Sequence, residues 1–90
     1  MHTVAVLALH QVIPFDLATP LEVFSRTRLP DGRPGYQVRV CAERDEVDAG
    51  AFTLRAPWGL EGLRGADTII VPGVTDPAAP LPPAVHDALR

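Results

Sequence analysis

The chain has no lysine and only one cysteine, and each shortage removes a class of function. Its eight basic residues are all arginines, scattered among eleven acids, for a net charge of −3 at pH 7. A surface that tracks phosphates needs basic residues gathered along one face. No footprint for nucleic acid is present, and any DNA contact is expected to come from residues outside these ninety. One cysteine excludes an internal disulfide and a cysteine-based zinc cluster. The histidines His2, His10 and His86 lie far apart without metal-ligand spacing, so neither metal nor cofactor is expected. Long apolar runs are missing too. The longest, Val4 to Leu9, is much too short to span a bilayer. It has no cationic region before it and no cleavage-like site after it, unlike a signal peptide. The expectation is a cytoplasmic chain without a membrane partner.

What is present reads as globular. A hydrophobic share of 47% with 21% charged residues suits a soluble core-forming chain, one small domain or a piece of a larger one. Thr3 to Leu9 is a continuous apolar run, the pattern of a central parallel strand covered on both faces. A loop is expected at His10 to Pro14. Thr19-Pro20-Leu21-Glu22 fits a capping box, with Thr19 as N-cap, Pro20 in the first helical position and Glu22 three residues on. Leu21, Phe24 and Arg28 would then share a helical face. Leu29-Pro30 and the following Asp-Gly-Arg-Pro-Gly end that helix.

Tyr36 to Ala42 alternates, with Tyr36, Val38, Val40 and Ala42 facing one way and Gln37, Arg39 and Cys41 the other. Such a strand belongs near a sheet edge. Glu43 to Gly50 reads as a polar connection, and Phe52 to Arg55 as a short strand of a hairpin. Trp58 to Leu63 allows at most a helical turn or two, weakened by Gly59 and Gly62. Thr68 to Val71 is a second buried-type strand closed by Pro72-Gly73. Four prolines make Asp76 to Pro83 a loop, and Pro83 to Arg90 begins a helix. The order is β-α-β-β-short α-β-α, an α/β arrangement.

Parallel strands share a carboxyl edge, where open α/β sheets bind ligands. The turns after the first and last apolar strands should therefore meet, bringing Asp16 beside the Gly73 backbone. Between Phe15 and Leu17, the Asp16 carboxylate is expected to be partly desolvated, which raises a carboxyl pKa. Its alternative role is that of a carboxylate at a helix N-terminus. In the Pro72-Gly73-Val74 turn, successive N–H groups can form a small anion-binding concavity. His10 and Pro14 are the candidate ligand-lining residues. Cys41 lies within a strand, with no helix N-terminus or neighbouring histidine to lower its pKa, and reads as a buried structural thiol. His86 should be exposed. Trp58 either caps the core or packs at an interface.

VAVLAL with HQVIPFDLATPLEVF, the LPDGRPGYQVRVCAE segment and ADTIIVPG together resemble the N-terminal half of a ThiJ/PfpI (class I glutamine amidotransferase-like) domain. The nearest variant is the one found ahead of AraC-type DNA-binding domains in GlxA-type regulators. The resemblance runs from Thr3 to Arg90. It implies a flavodoxin-like parallel sheet with flanking helices, of which residues 1–90 are the N-terminal portion. The strand and elbow that carry the family's nucleophilic cysteine, and any helix-turn-helix, are then absent. It also implies that Asp16 sits beside that cysteine and can share or donate a proton, and that Gly73 and Val74 supply oxyanion-stabilising amides. The function implied is the ligand-sensing and oligomerisation domain of a transcriptional regulator. Its partners would be an unidentified small molecule and a second copy of the chain. The alternative is a fragment of a stand-alone ThiJ/PfpI enzyme, isocyanide hydratase-like or amidase-like, whose FDLTGP-type segment is similar. A chain with no activity of its own is the third reading. Without the elbow, turnover by these residues is not expected.

Overall fold

An apolar run with no polar period has no side to offer to water, so it is stable as a strand only at the middle of a layered sheet. In the computed structural model, which describes residues 1–90, that run is β1 (His2–Leu7), buried from Thr3 onward. The elements that follow are α1 (Pro14–Arg26), β2 (Tyr36–Cys41), β3 (Val47–Asp48), β4 (Thr53–Leu54), a 3-10 turn (Leu60–Leu63), β5 (Thr68–Ile70) and α2 (Pro83–Ala88). β2 and β5 flank β1 on either side, both parallel to it, in the order β2-β1-β5. The register sets His2 opposite Tyr36 and Val4 opposite Thr68. The architecture is α/β, a three-stranded parallel sheet with few helices. No helix is long and apolar enough to cross a membrane.

Successive side chains of a strand point to opposite faces, and β1 uses both. Val4, Val6 and Ala8 pack with Val12, Leu17, Ala42, Val47 and Ala49 on the α1 side. Ala5 and Leu7 pack with Cys41, Leu63 and Val85 on the α2 side. Fully burying one Val or Leu is worth about 1.5–3 kcal/mol, so Val4, Val6 and Leu7 anchor both layers. β2 is an edge strand, as its alternation predicts, with Ala42 just beyond it in the first layer and Cys41 in the second. Phe24 of α1 meets Tyr36 of β2 edge to face, ring centroids 4.9 Å apart.

Three expectations need correction. The capping box does not form. α1 begins earlier, at Pro14, whose fixed φ suits the first helical position, and Pro20 lies inside the helix. Thr19 Oγ1 donates to the Phe15 carbonyl at 2.7 Å, and Glu22 pairs with Arg26 at 2.6 Å. An interior proline lacks the N–H that would reach the carbonyl four residues back, here that of Asp16. Leu17, Leu21 and Phe24, packed on the sheet, hold the helix through this fault. Arg28 lies past the helix end and shares no face with them.

The connection after β2 is not merely polar. Val47 and Ala49 are buried, and β3 pairs antiparallel with β4, so the order is β-α-β-β-β-(3-10)-β-α. Two apolar residues spaced two apart among acids suffice for one wall of a hairpin. Finally, β5 is not enclosed like β1. It pairs only with β1, its other edge is open, and Ile69 and Val71 remain 38% and 46% exposed.

Candidate functional site at the carboxyl edge of the sheet

Where β1 and β5 end, their following segments lock together. Val12 and Val74 form an antiparallel bridge, with the Ile13 N–H donating to the Gly73 carbonyl at 2.9 Å and the Thr75 N–H to the Gln11 carbonyl at 3.0 Å. Thr75 Oγ1 also donates to the Gln11 carbonyl, at 3.3 Å. Asp16 and Gly73 therefore meet at one edge, as expected. A Cβ on Gly73 would lie 2.8 Å from Asp16 Oδ2 and 3.6 Å from Ile13 Cδ1. Close approach, not a left-handed φ, is what makes glycine fit here. The N–H groups of Gly73 and Val74 donate to no backbone carbonyl, which leaves two successive donors free.

Gln11 is the one non-glycine residue with a positive φ, +64°. Such a conformation costs on the order of 1 kcal/mol and persists only where neighbours hold it. Its N–H donates to the Asp48 carbonyl at 2.8 Å, and its own carbonyl is held by Thr75. The β1-to-α1 turn is thus pinned from the hairpin on one side and from the segment after β5 on the other.

Beside this turn opens a crevice of about 340 Å³, walled by the residues that follow β1, β2 and β5 and closed by the start of α2. His10 and Val74 line it, together with Gln11, Glu43, Glu46 and Asp76, over a floor that includes Val47 and Val85. Asp16, Gly73 and Pro14 do not line it. Asp16 and Pro14 belong to the first turn of α1, which covers the face of the sheet opposite α2. The expected set thus divides into two adjacent groups. Asp16 is exposed, so the desolvation expected there is absent. Its place in the first turn of α1 favours a negative charge by about 0.3–1 kcal/mol, the alternative role foreseen for it.

Cys41 takes no part in either group. It is fully buried on the α2 side. Burial pushes its thiol pKa up, opposed by the Arg39 charge and reinforced by Glu61. A thiol held protonated is not a nucleophile at neutral pH. Arg39 lies 4.7 Å over the Trp58 ring and donates to the Gly62 and Arg64 carbonyls, both at 3.3 Å, tying the 3-10 turn to β2. Trp58, 38% exposed, covers that edge of the core. His86 is exposed, as expected.

Sequence reasoning missed Gln11, Glu43, Glu46 and Asp76. The signal was available for the last three: each follows a strand whose carboxyl end points to the same edge. No protein-family model matches the chain, and no curated protein matches it.

Proposed function

We propose that the chain is a small-molecule-sensing α/β unit, the N-terminal portion of a flavodoxin-like ThiJ/PfpI domain of the kind found in GlxA-type regulators of the AraC family. The observation that carries this reading is the crevice of about 340 Å³ at the carboxyl edge of the sheet, with His10 and Val74 in its wall. The order β2-β1-β5 supports it, because a flavodoxin-like sheet has its first strand between the second and the next parallel one, with ligands bound where the winding reverses. The open edge of β5 is where the next parallel strand of such a sheet would pair. DNA contact is assigned to residues outside this chain.

The test is a titration of the ¹⁵N-labelled chain with a library of small metabolite-like compounds. Binders should shift the amides of His10, Gln11 and Val74 first. Shifts that cluster elsewhere, or none across the library, overturn the proposal.

The second reading, part of a stand-alone enzyme, draws on the Asp16–Gly73 approach and the two free amides at Gly73 and Val74. Covalent catalysis needs a nucleophile beside its base and oxyanion donors, and Cys41 is buried on the other side of the sheet. Turnover by this chain that survives Cys41→Ser and disappears with Asp16→Asn would favour the enzyme over the sensor.

A further inference from the structure

We propose that the carboxyl-edge crevice selects a small organic cation, an ammonium or guanidinium group on a short apolar body. The inference rests on the ligand-sensing reading above and adds the chemistry of the ligand. The wall carries three carboxylates, Glu43, Glu46 and Asp76, against the single guanidinium of Arg44. The carboxylates are only loosely engaged. Glu43 faces Arg44 at 3.9 Å and Glu46 faces Arg55 at 3.9 Å, the arginine side chains being 78% and 75% exposed. Pairs this long and this solvated hold little free energy. Asp76 uses one oxygen, Oδ1, to accept from the Ala78 N–H at 3.0 Å.

The floor is of the opposite character. Ala8, Val47 and Val85 are buried and apolar, and a low-dielectric wall concentrates the field of charges set around it. An anion entering this space meets a surplus of carboxylates. A point cation is disfavoured for a different reason: the acidic groups do not converge into a set that could hold a metal ion. A charge delocalised over, or tethered to, a short hydrocarbon satisfies both the dispersed carboxylates and the apolar floor. At about 340 Å³, near the low end for ligand sites, the crevice fits a body of a few carbons.

The experiment uses the ninety-residue chain and three probes of one shape, n-butylamine, 1-butanol and butyrate, followed by amide shifts at His10, Val74 and Ala79. The ammonium should bind about fivefold tighter than the alcohol, with butyrate weakest, and the preference should shrink in high salt. Asp76→Asn, which keeps the acceptor for Ala78, and Glu46→Gln should each weaken butylamine about two- to fivefold while leaving butanol unchanged. Butanol equal to butylamine, or butyrate the best of the three, overturns the cation assignment and leaves the sensing role standing. Silence of the crevice amides toward all three probes overturns the assignment together with the reading it rests on.

Discussion

Adding a single methyl group at Gly62 tests how tightly the α2-side layer is built. A Cβ there would stand 2.6 Å from Cys41 Sγ, 2.8 Å from Trp58 Cβ and 3.2 Å from Trp58 Cγ. Relaxed contacts between carbon atoms lie at about 3.5–4.0 Å. Neither neighbour can step aside easily. Cys41 is fully buried in β2, and the Trp58 backbone is fixed to that strand by Ala42 N–H to Trp58 O at 3.0 Å and Trp58 N–H to Val40 O at 3.1 Å. Overpacking of this kind costs about 1–3 kcal/mol. The stiffer unfolded chain returns about 0.4–1 kcal/mol, so Gly62→Ala should lose about 1–2 kcal/mol. For a domain of this size each kcal/mol lowers Tm by roughly 4–8 °C. Cys41→Ala alone removes one buried sulfur and should cost about 1 kcal/mol. Combined, the two changes remove the shorter clash, and the double variant should be more stable than the sum of the single losses by about 0.5 kcal/mol or more. Urea unfolding of the four proteins measures the cycle. A Gly62→Ala midpoint equal to that of the parent chain, or strict additivity, would refute this account of the packing.

Pro20→Ala should stabilise the chain by about 1–3 kcal/mol in thermal unfolding followed by circular dichroism, because it restores a helical donor to the Asp16 carbonyl; a loss would mean the ring itself packs productively. Asp16→Asn should leave the fold intact and cost about 0.3–1 kcal/mol in the same assay, the worth of a charge in the first helical turn. Cys41 should react with a thiol reagent far more slowly in the folded chain than in urea, since burial raises its pKa and hides its sulfur. The unfolded thiol then releases its proton before the folded one. Stability attributable to Cys41 is therefore complete below the ordinary thiol range and falls as pH rises through it, a slope that Cys41→Ala should remove in urea melts taken at alkaline pH.

β1 was legible because burial on both faces leaves one imprint, unbroken apolarity, and β2 because an edge strand alternates. The last strand carries the same imprint as β1, yet Ile69 and Val71 stay partly exposed, since composition records what a face can bury and not what arrives to cover it. The start of α1 was misread because Thr19-Pro20 carries a local signal as strong as Pro14 does, and only the packing of Leu17 against the sheet decides between them. Val47 was lost among acids. At the site, the meeting of Asp16 with Gly73 followed from strand direction alone. The left-handed Gln11 had no signature, because its conformation is imposed by Asp48 and Thr75 from distant parts of the chain. The crevice wall went unread although its acids follow strands that share a carboxyl edge: polar loops resemble one another in sequence, and strand direction has to be applied to each of them to set them side by side.

The central position of β1 also sets an order of events in time. Thr3 finds its partners 34 residues on at Gln37 and 64 residues on at Asp67, so the β2 side of the strand waits until Cys41 has been made and the β5 side until Ile70. At about 5–20 residues per second of synthesis, the interval before the second partner emerges is roughly 3–13 s. Distant pairing is also slow once the chain is released, because each loop must close before its contacts form. The most apolar stretch of these ninety residues is thus made before either of its partner strands and sheltered last. During that interval Val4 to Leu7 has at most one neighbouring strand, and its other edge is open to a holding chaperone or to the same stretch of another nascent chain.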